Sequence, residues 1–224
     1  FVDFATTVSQ DRCLYDRSTL LSTTWARACC ATVVPAAAQV NADTIYDIVE
    51  HHTVDNDGVS IHYVTHGEGP VLLFIHGFPN QWYDWRYQMA ALADDYEVVA
   101  ISLRGYNRSD KPKGLENYAI PKLVSDVAAV IRDMGEKKAV IVGHDWGGMV
   151  AWSFAMTKPE MTDRLAVLNL PHPKGLNREL ANNPDQQRNS QYARAFQLPG
   201  AHKLLTAERL AGWGKGEAKR AKYI

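Results

Sequence analysis

The order of apolar segments predicts an α/β chain, with a mostly parallel, doubly wound sheet and helices on both of its faces. Three observations carry this reading. Between about residues 70 and 168, short runs that are apolar at every position alternate with stretches of helical periodicity. Two alternating segments around Asn56-Asp57-Gly58 precede them and supply an antiparallel start. Short polar segments at 76–80, 104–110 and 144–148 close three of the apolar runs. They fall at the carboxyl ends of strands, where ligands bind in open α/β sheets.

The elements follow in order. Residues 49–54 and 59–65 alternate and form the hairpin. Residues 71–75 read as a strand buried on both faces and end at His76-Gly77. Residues 85–92 have helical spacing, and residues 96–102 form the next buried strand, closed by Arg104-Gly105. Residues 120–134 place Leu123, Val127, Val130 and Ile131 on one helical face, and Gly135 ends that helix. Residues 139–142 are a third buried strand, followed after a very short turn by a helix over 147–157. Residues 165–168 are a fourth strand. Beyond Pro171 the chain turns to polar helices punctuated by Pro184, Pro199-Gly200 and the glycines of 212–216, with no strand. The expected organisation is a leader over 1–44, core over 45–172 and the start of a helical cap over 173–224, with the sheet incomplete.

Composition narrows the functional classes. The 224 residues are 46% hydrophobic, which is too apolar for a disordered chain, and they allow one sizeable core. Twenty-four basic against 25 acidic side chains remove any global electrostatic case for nucleic acid or an anionic membrane. No uncharged apolar run approaches the roughly 18 residues of a membrane span. The cysteines, Cys13, Cys29 and Cys30, all lie near the start, so the rest of the chain has no disulfide framework and no cysteine-based zinc site. Residues 18–42, with Arg17 before them and small residues at Ala36-Ala37-Ala38, loosely resemble a secretory signal. The bland alternative is a disordered leader. A cytoplasmic location is the expectation, and export the alternative if that signal acts. The first residue is Phe1 and the last, Ile224, sits just past a charged helical pattern, so the chain reads as a fragment.

Chemistry concentrates in Val142-Gly143-His144-Asp145-Trp146-Gly147-Gly148. A buried strand runs into a polar residue with a glycine two positions away on each side, and a helix follows at once. This is the nucleophile-elbow pattern. Side chains at Gly143 or Gly147 would collide with the neighbouring helix or strand. The alternative, a plain tight strand–helix turn, is countered by a second motif at another strand end, His76-Gly77-Phe78-Pro79. The elbow residue is Asp, whose carboxyl group is ordinarily ionised at neutral pH and attacks without a base. It suits displacement at a saturated carbon bearing a strained or good leaving group. The alkyl ester so formed must then be hydrolysed, which needs a general base and an oxyanion hole.

These stretches, with Asn80-Gln81-Trp82-Tyr83-Asp84-Trp85-Arg86 and Arg104-Gly105-Tyr106-Asn107-Arg108-Ser109-Asp110, resemble the epoxide hydrolase branch of the α/β-hydrolase superfamily over about residues 48–210. The resemblance implies the α/β-hydrolase fold and Asp145 as nucleophile. It also implies an oxyanion hole made by the backbone N–H groups of Phe78 and Trp146, and a cis peptide bond before Pro79. His76, Gly77, Pro79, Gly143 and Gly147 support those loops. Trp82, His144 and Phe196 line the substrate pocket, although Trp82 and Trp85 also suit simple packing. Gln191-Tyr192-Ala193-Arg194-Ala195-Phe196 is similar to the cap segment that carries one of the family's two epoxide-polarising tyrosines, matching Tyr192. The family usually has Gly where Asn107 stands, and Asn tolerates left-handed backbone angles. The implied partners are a small-molecule epoxide and water. No metal or organic cofactor is implied, and the oligomeric state is left open.

The family's general base is a histidine after the last strand, paired with an acid. His76, His144, His172 and His202 are poor matches, because none follows a further strand. The expectation is therefore that residues 1–224 alone lack the hydrolytic base, stop at the alkyl-enzyme and fold poorly. A haloalkane dehalogenase would use the same Asp145 with the Trp146 indole on the halide. Phe78, however, cannot supply the second side-chain donor. Fluoroacetate-type dehalogenases usually carry Arg where Trp146 stands, and a serine esterase is disfavoured by Asp at the elbow. A non-catalytic binding protein on this fold is the alternative from another class.

Overall fold

The computed structural model describes residues 41–204, the side chains of His202 and Leu204 apart. The three cysteines, nearly all of the signal-like segment and the chain beyond residue 204 lie outside the described residues.

One helical turn, α1 (Ile45–Ile48), opens the described chain, and Ile45 is fully buried. Strands β1 (Glu50–Asn56) and β2 (Val59–His66) form the expected hairpin. Asp57 and Gly58 both have positive φ, 54° and 77°, so the two-residue loop takes the twist that antiparallel strands favour. Strand β3 (Val71–Ile75) is buried at all five positions. A 3-10 turn (Trp82–Trp85) and α2 (Arg86–Leu92) lead to β4 (Glu97–Ile101). Helix α3 (Ile120–Asp133), strand β5 (Ala139–His144), helix α4 (Trp146–Thr157) and strand β6 (Thr162–Leu168) complete the sheet layer. Gly135, at φ 76°, ends α3 as expected, with its own N–H on Arg132 O and the next N–H on Ile131 O. Helices α5 (Pro173–Asn182), α6 (Pro184–Asn189) and α7 (Gln191–Ala195) follow. Pro184 begins α6, and Asn183 caps it by accepting from the Asp185 and Gln186 N–H groups.

The six strands lie in the order β1-β2-β4-β3-β5-β6. The pairs β1–β2 and β2–β4 are antiparallel, and β3, β4, β5 and β6 run parallel. Strand β3 therefore lies between β4 and β5, and the chain changes direction across the sheet there. The crevice at such a reversal is where α/β sheets bind ligands. Period-two alternation sorts the strand residues between two cores. Leu73, Ile75, Val99, Ile101 and Ile141 face α3 and α4, packing on Val127, Val150 and Phe154. Leu72, Phe74, Val98, Ala100 and Val142 face the other way, onto Ile45, Trp82, Trp85 and Met89. Helices thus cover both faces.

One buried ion pair ties these layers together. Asp126 falls on the apolar face of α3, between Leu123 and Val130, and is fully buried. Its two carboxylate oxygens each accept a 2.6 Å bond from Arg104, through Nε and Nη2. Arg104 Nη1 donates to Asn117 O, and Asn56 Nδ2 adds a bond to Asp126. The pair thereby holds the segment leaving β4 against both α3 and the hairpin. An acid on an otherwise apolar helical face is the signal of such a partner, although the sequence leaves the partner open. Removing one member strands the other charge in the interior. Asp126→Ala is therefore expected to destabilise the protein by about 3–5 kcal/mol in urea unfolding. The double replacement Arg104→Met with Asp126→Leu should recover at least half of that loss. Equal destabilisation by the single and double variants would count against this account.

Candidate active site

Asp145 stands between β5 and α4 with φ 51° and ψ −122°, a backbone region disfavoured for any residue with a side chain. Crowding compels the turn. A Cβ on Gly147 would lie 2.2 Å from Ile75 O and 2.5 Å from His76 O, at the end of β3. A Cβ on Gly143 would lie 2.5 Å from Gly147 O and 2.7 Å from Ala151 Cβ. Gly77 meets Asp145 itself, since a Cβ there would be 2.7 Å from Asp145 Cβ. The glycines let strand, helix and the neighbouring loop converge on one side chain. Asp145 O accepts from Gly148 N at 2.9 Å, which closes the first turn of α4.

The carboxylate has a partner. Phe78 N–H donates to Asp145 Oδ1 at 3.0 Å. Trp146 N–H is at the first position of α4, where a helix offers its N–H groups no acceptor of their own. Of the two N–H groups named from sequence, that of Phe78 bonds the Asp145 side chain, and that of Trp146 follows Asp145 directly in the chain. The Phe78–Pro79 peptide bond is cis, and Asn80 N–H donates to Gly77 O across that turn.

His76 is 1% exposed. Its Nε2 accepts from Leu103 N–H at 3.1 Å, so Nδ1 carries the proton and donates to Gly77 O at 2.9 Å. One neutral ring therefore bonds the loop after β3 to the loop after β4. Burial pushes His76 down to about 4, against a smaller opposing contribution from its bond to Gly77 O. The Tyr106 ring packs edge-on against His76 at 4.9 Å. Burial, and secondarily the Asp145 charge, push the Tyr106 phenol up to about 12. Tyr106 was not among the residues the sequence singled out, although it sits in a matched motif at a strand end. His62, also buried, is held by Ser102 Oγ and His51 Nδ1, and burial pushes it down to about 4 as well.

The other sequence-derived residues fall in three places. His144 is the last residue of β5 and is partly buried. Near the end of α7, Phe78 and Phe196 approach to 5.8 Å between ring centres, and Tyr192 lies edge-on to Phe196 at 5.9 Å. Tyr192 is 58% exposed. Trp82 lies in the core, 1% exposed, stacked on Tyr46 at 5.6 Å, so its placement supports the packing reading. Trp85 is likewise buried and stacks on Phe74 at 4.8 Å. His172 caps α5, with Nδ1 accepting from Lys174 N–H. Asn107 takes φ 45°, the left-handed conformation expected of it. Among the described residues, no group of three or more His, Cys, Asp or Glu is placed to hold a metal ion, and no helix is long and apolar enough to cross a membrane.

A sequence model of the α/β hydrolase fold matches residues 70–212. The chain belongs to the α/β hydrolase fold family. Within it, the chain is 47% identical over 141 residues to epoxide hydrolase 1 of Caenorhabditis elegans, covering 62% of this chain and 35% of that protein. It is 41% identical over 148 residues to epoxide hydrolase 4 of Homo sapiens, covering 65% of this chain and 41% of that protein. The chain thus spans well under half of the length of these two relatives. Among solved structures, an epoxide hydrolase of Bacillus megaterium bound to an inhibitor superposes with a TM-score of 0.68 at 39% identity. That match covers 72% of this chain and 57% of the other.

The neutral histidines have a consequence for stability. The folded value of His76, about 4, lies below its ordinary 6.5, so folding favours the neutral ring. That contribution, about 3 kcal/mol, is complete above about pH 6.5 and is lost as pH falls towards 4. Unfolding free energy is expected to fall steadily between pH 6.5 and 4, and His76→Asn should flatten part of the slope. A wild-type stability that stays level over this interval would contradict the assignment.

Proposed function

We propose that this chain carries the nucleophile and oxyanion hole of a hydrolase that opens epoxides to vicinal diols. The single observation that carries the reading is the Phe78 N–H bond to Asp145 Oδ1, made by a carboxylate lifted onto a strained elbow. The 34–47% identity to proteins named epoxide hydrolases supports the substrate class.

The bond divides the two carboxylate oxygens. Oδ1 is engaged, so Oδ2 is the attacking atom. Oδ2 bonds to an epoxide carbon, the carbon–oxygen bond of the ring breaks, and the ring oxygen leaves as an alkoxide. Tyr192 donates its phenolic proton to that oxygen. The product is an alkyl ester whose carbonyl oxygen is Oδ1. Water adds to the carbonyl carbon, and Oδ1 becomes the oxyanion. Phe78 N–H and Trp146 N–H then stabilise it; collapse breaks the bond to the alcohol oxygen, which takes one proton of the water while the other returns to the Tyr192 phenolate, so that diol, carboxylate and phenol are restored. The donor that orients the nucleophile is therefore already in place for the second step. The hydrolytic base is assigned neither to His76, whose ring nitrogens are both engaged, nor to His172, which caps a helix.

Two outcomes are expected of the full-length protein. Incubation with an aryl or alkyl epoxide should yield diol without halide chemistry. Quenched samples should show by mass spectrometry an alkyl adduct on the peptide containing Asp145. Asp145→Asn should lower turnover at least about 10³-fold. An adduct on another residue, or halide release from haloalkanes in place of diol formation, would refute the proposal. Tyr192→Phe should slow adduct formation about 10²-fold while changing ester hydrolysis far less. An unchanged single-turnover alkylation rate in that variant would remove Tyr192 from the mechanism.

A further inference from the structure

Among the described residues, the turn that carries Phe78 is hydrogen-bonded to the loop after β4 at two points. The inner attachment is the buried His76 bond to Leu103 N–H, just before the turn. The outer one lies just after it, where Asn107 Nδ2 donates to Gln81 Oε1. Phe78 and Pro79 lie between the two.

The amide orientation at Asn107 is determined by its neighbours. Asn107 Oδ1 accepts from Arg108 N–H at 2.8 Å, so Nδ2 is the group left to face Gln81, and Gln81 must present its oxygen. Lys111 Nζ donates to Asn107 O at 2.7 Å and to Ser109 O at 3.1 Å, which steadies the same loop from its other side. The position itself favours glycine, because φ is 45°. An asparagine here accepts backbone strain that glycine would avoid, and only its side chain supplies the link to Gln81.

Resting on the reading of Phe78 N–H as an oxyanion donor, we propose that Asn107 and Gln81 are positioning residues, an outer clasp that holds this N–H on Asp145. A purely structural role predicts that Asn107→Gly is neutral or stabilising, since it relieves the left-handed strain. A positioning role predicts a looser donor at unchanged or higher stability. The two can therefore be separated.

The test uses the full-length protein with Asn107→Gly, Gln81→Met and the conservative Asn107→Asp. Aspartate still accepts from Arg108 N–H and can accept from Gln81 once the Gln81 amide turns over. Amide hydrogen exchange at Phe78, read by NMR, is expected to rise about 3- to 10-fold in Asn107→Gly and Gln81→Met, with melting temperature unchanged or raised in Asn107→Gly. Single-turnover hydrolysis of the Asp145 ester should slow by a similar factor, and Asn107→Asp should restore both to within about twofold. Unchanged Phe78 exchange in both disruptive variants would overturn the clasp. Faster exchange with unchanged ester hydrolysis would overturn its positioning role. If wild-type protein forms no Asp145 adduct, the catalytic reading fails and the positioning role with it, whereas the exchange measurement still decides the clasp.

Discussion

Three chain segments meet at the Asp145 side chain with no room for a single extra carbon. The end of β3 presses on Gly147, the first turn of α4 presses on Gly143, and Gly77 lies against the Asp145 side chain. This steric constraint places the carboxylate at the carboxyl ends of β3 and β5, and much of the local geometry follows from it. Because α4 must start immediately, Trp146 N–H is left without a helical acceptor beside Asp145. Because Gly77 has no side chain, the next N–H, on Phe78, can reach Oδ1. The strain at Asp145 persists because the packing around it leaves no alternative path for the chain.

Polar contacts around this centre are arranged by burial. His76 stays neutral and uses one ring nitrogen as donor and the other as acceptor, so that it joins two loops without a charge. The buried charges of Arg104 and Asp126 are instead paired in a two-bond geometry, with Asn56 and Asn117 satisfying further valences. A buried pair of this kind is poor evidence for net stability, but its bonds join Arg104 to α3 and to Asn117 at fixed points. It determines where the loop after β4 begins, and that loop supplies Leu103 N–H to His76 and the Tyr106 ring to its face.

The segment that follows α6 is organised differently. The approach of Phe78, Phe196 and Tyr192 is a contact between aromatic rings, with centre separations of 5.8 and 5.9 Å. Such contacts have looser geometric demands than a hydrogen-bonded turn. The hydrogen-bonded parts are thus those built on strand ends, and the segment around Tyr192 and Phe196 meets them through aromatic rings.

Local patterns in the sequence determined a great deal. Period-two and unbroken apolar runs located all six strands, glycine and Asn-Gly-type signals located the helix end and the hairpin turn, and the spacing of Gly143, Asp145 and Gly147 located the elbow. Each depends on residues close together in the chain, so each could be read without knowing the fold. The turn α1 went unforeseen because four residues carry no periodicity. The partners of Asp126, the proton position on His76, the packing of Trp82 on Tyr46 and the Asn107–Gln81 bond were decided by tertiary structure alone. Each joins residues from different strand ends or layers, and their meeting depends on strand order and on which face each residue turns to. A linear sequence names the groups that need partners, whereas only the folded sheet brings particular partners within hydrogen-bonding reach.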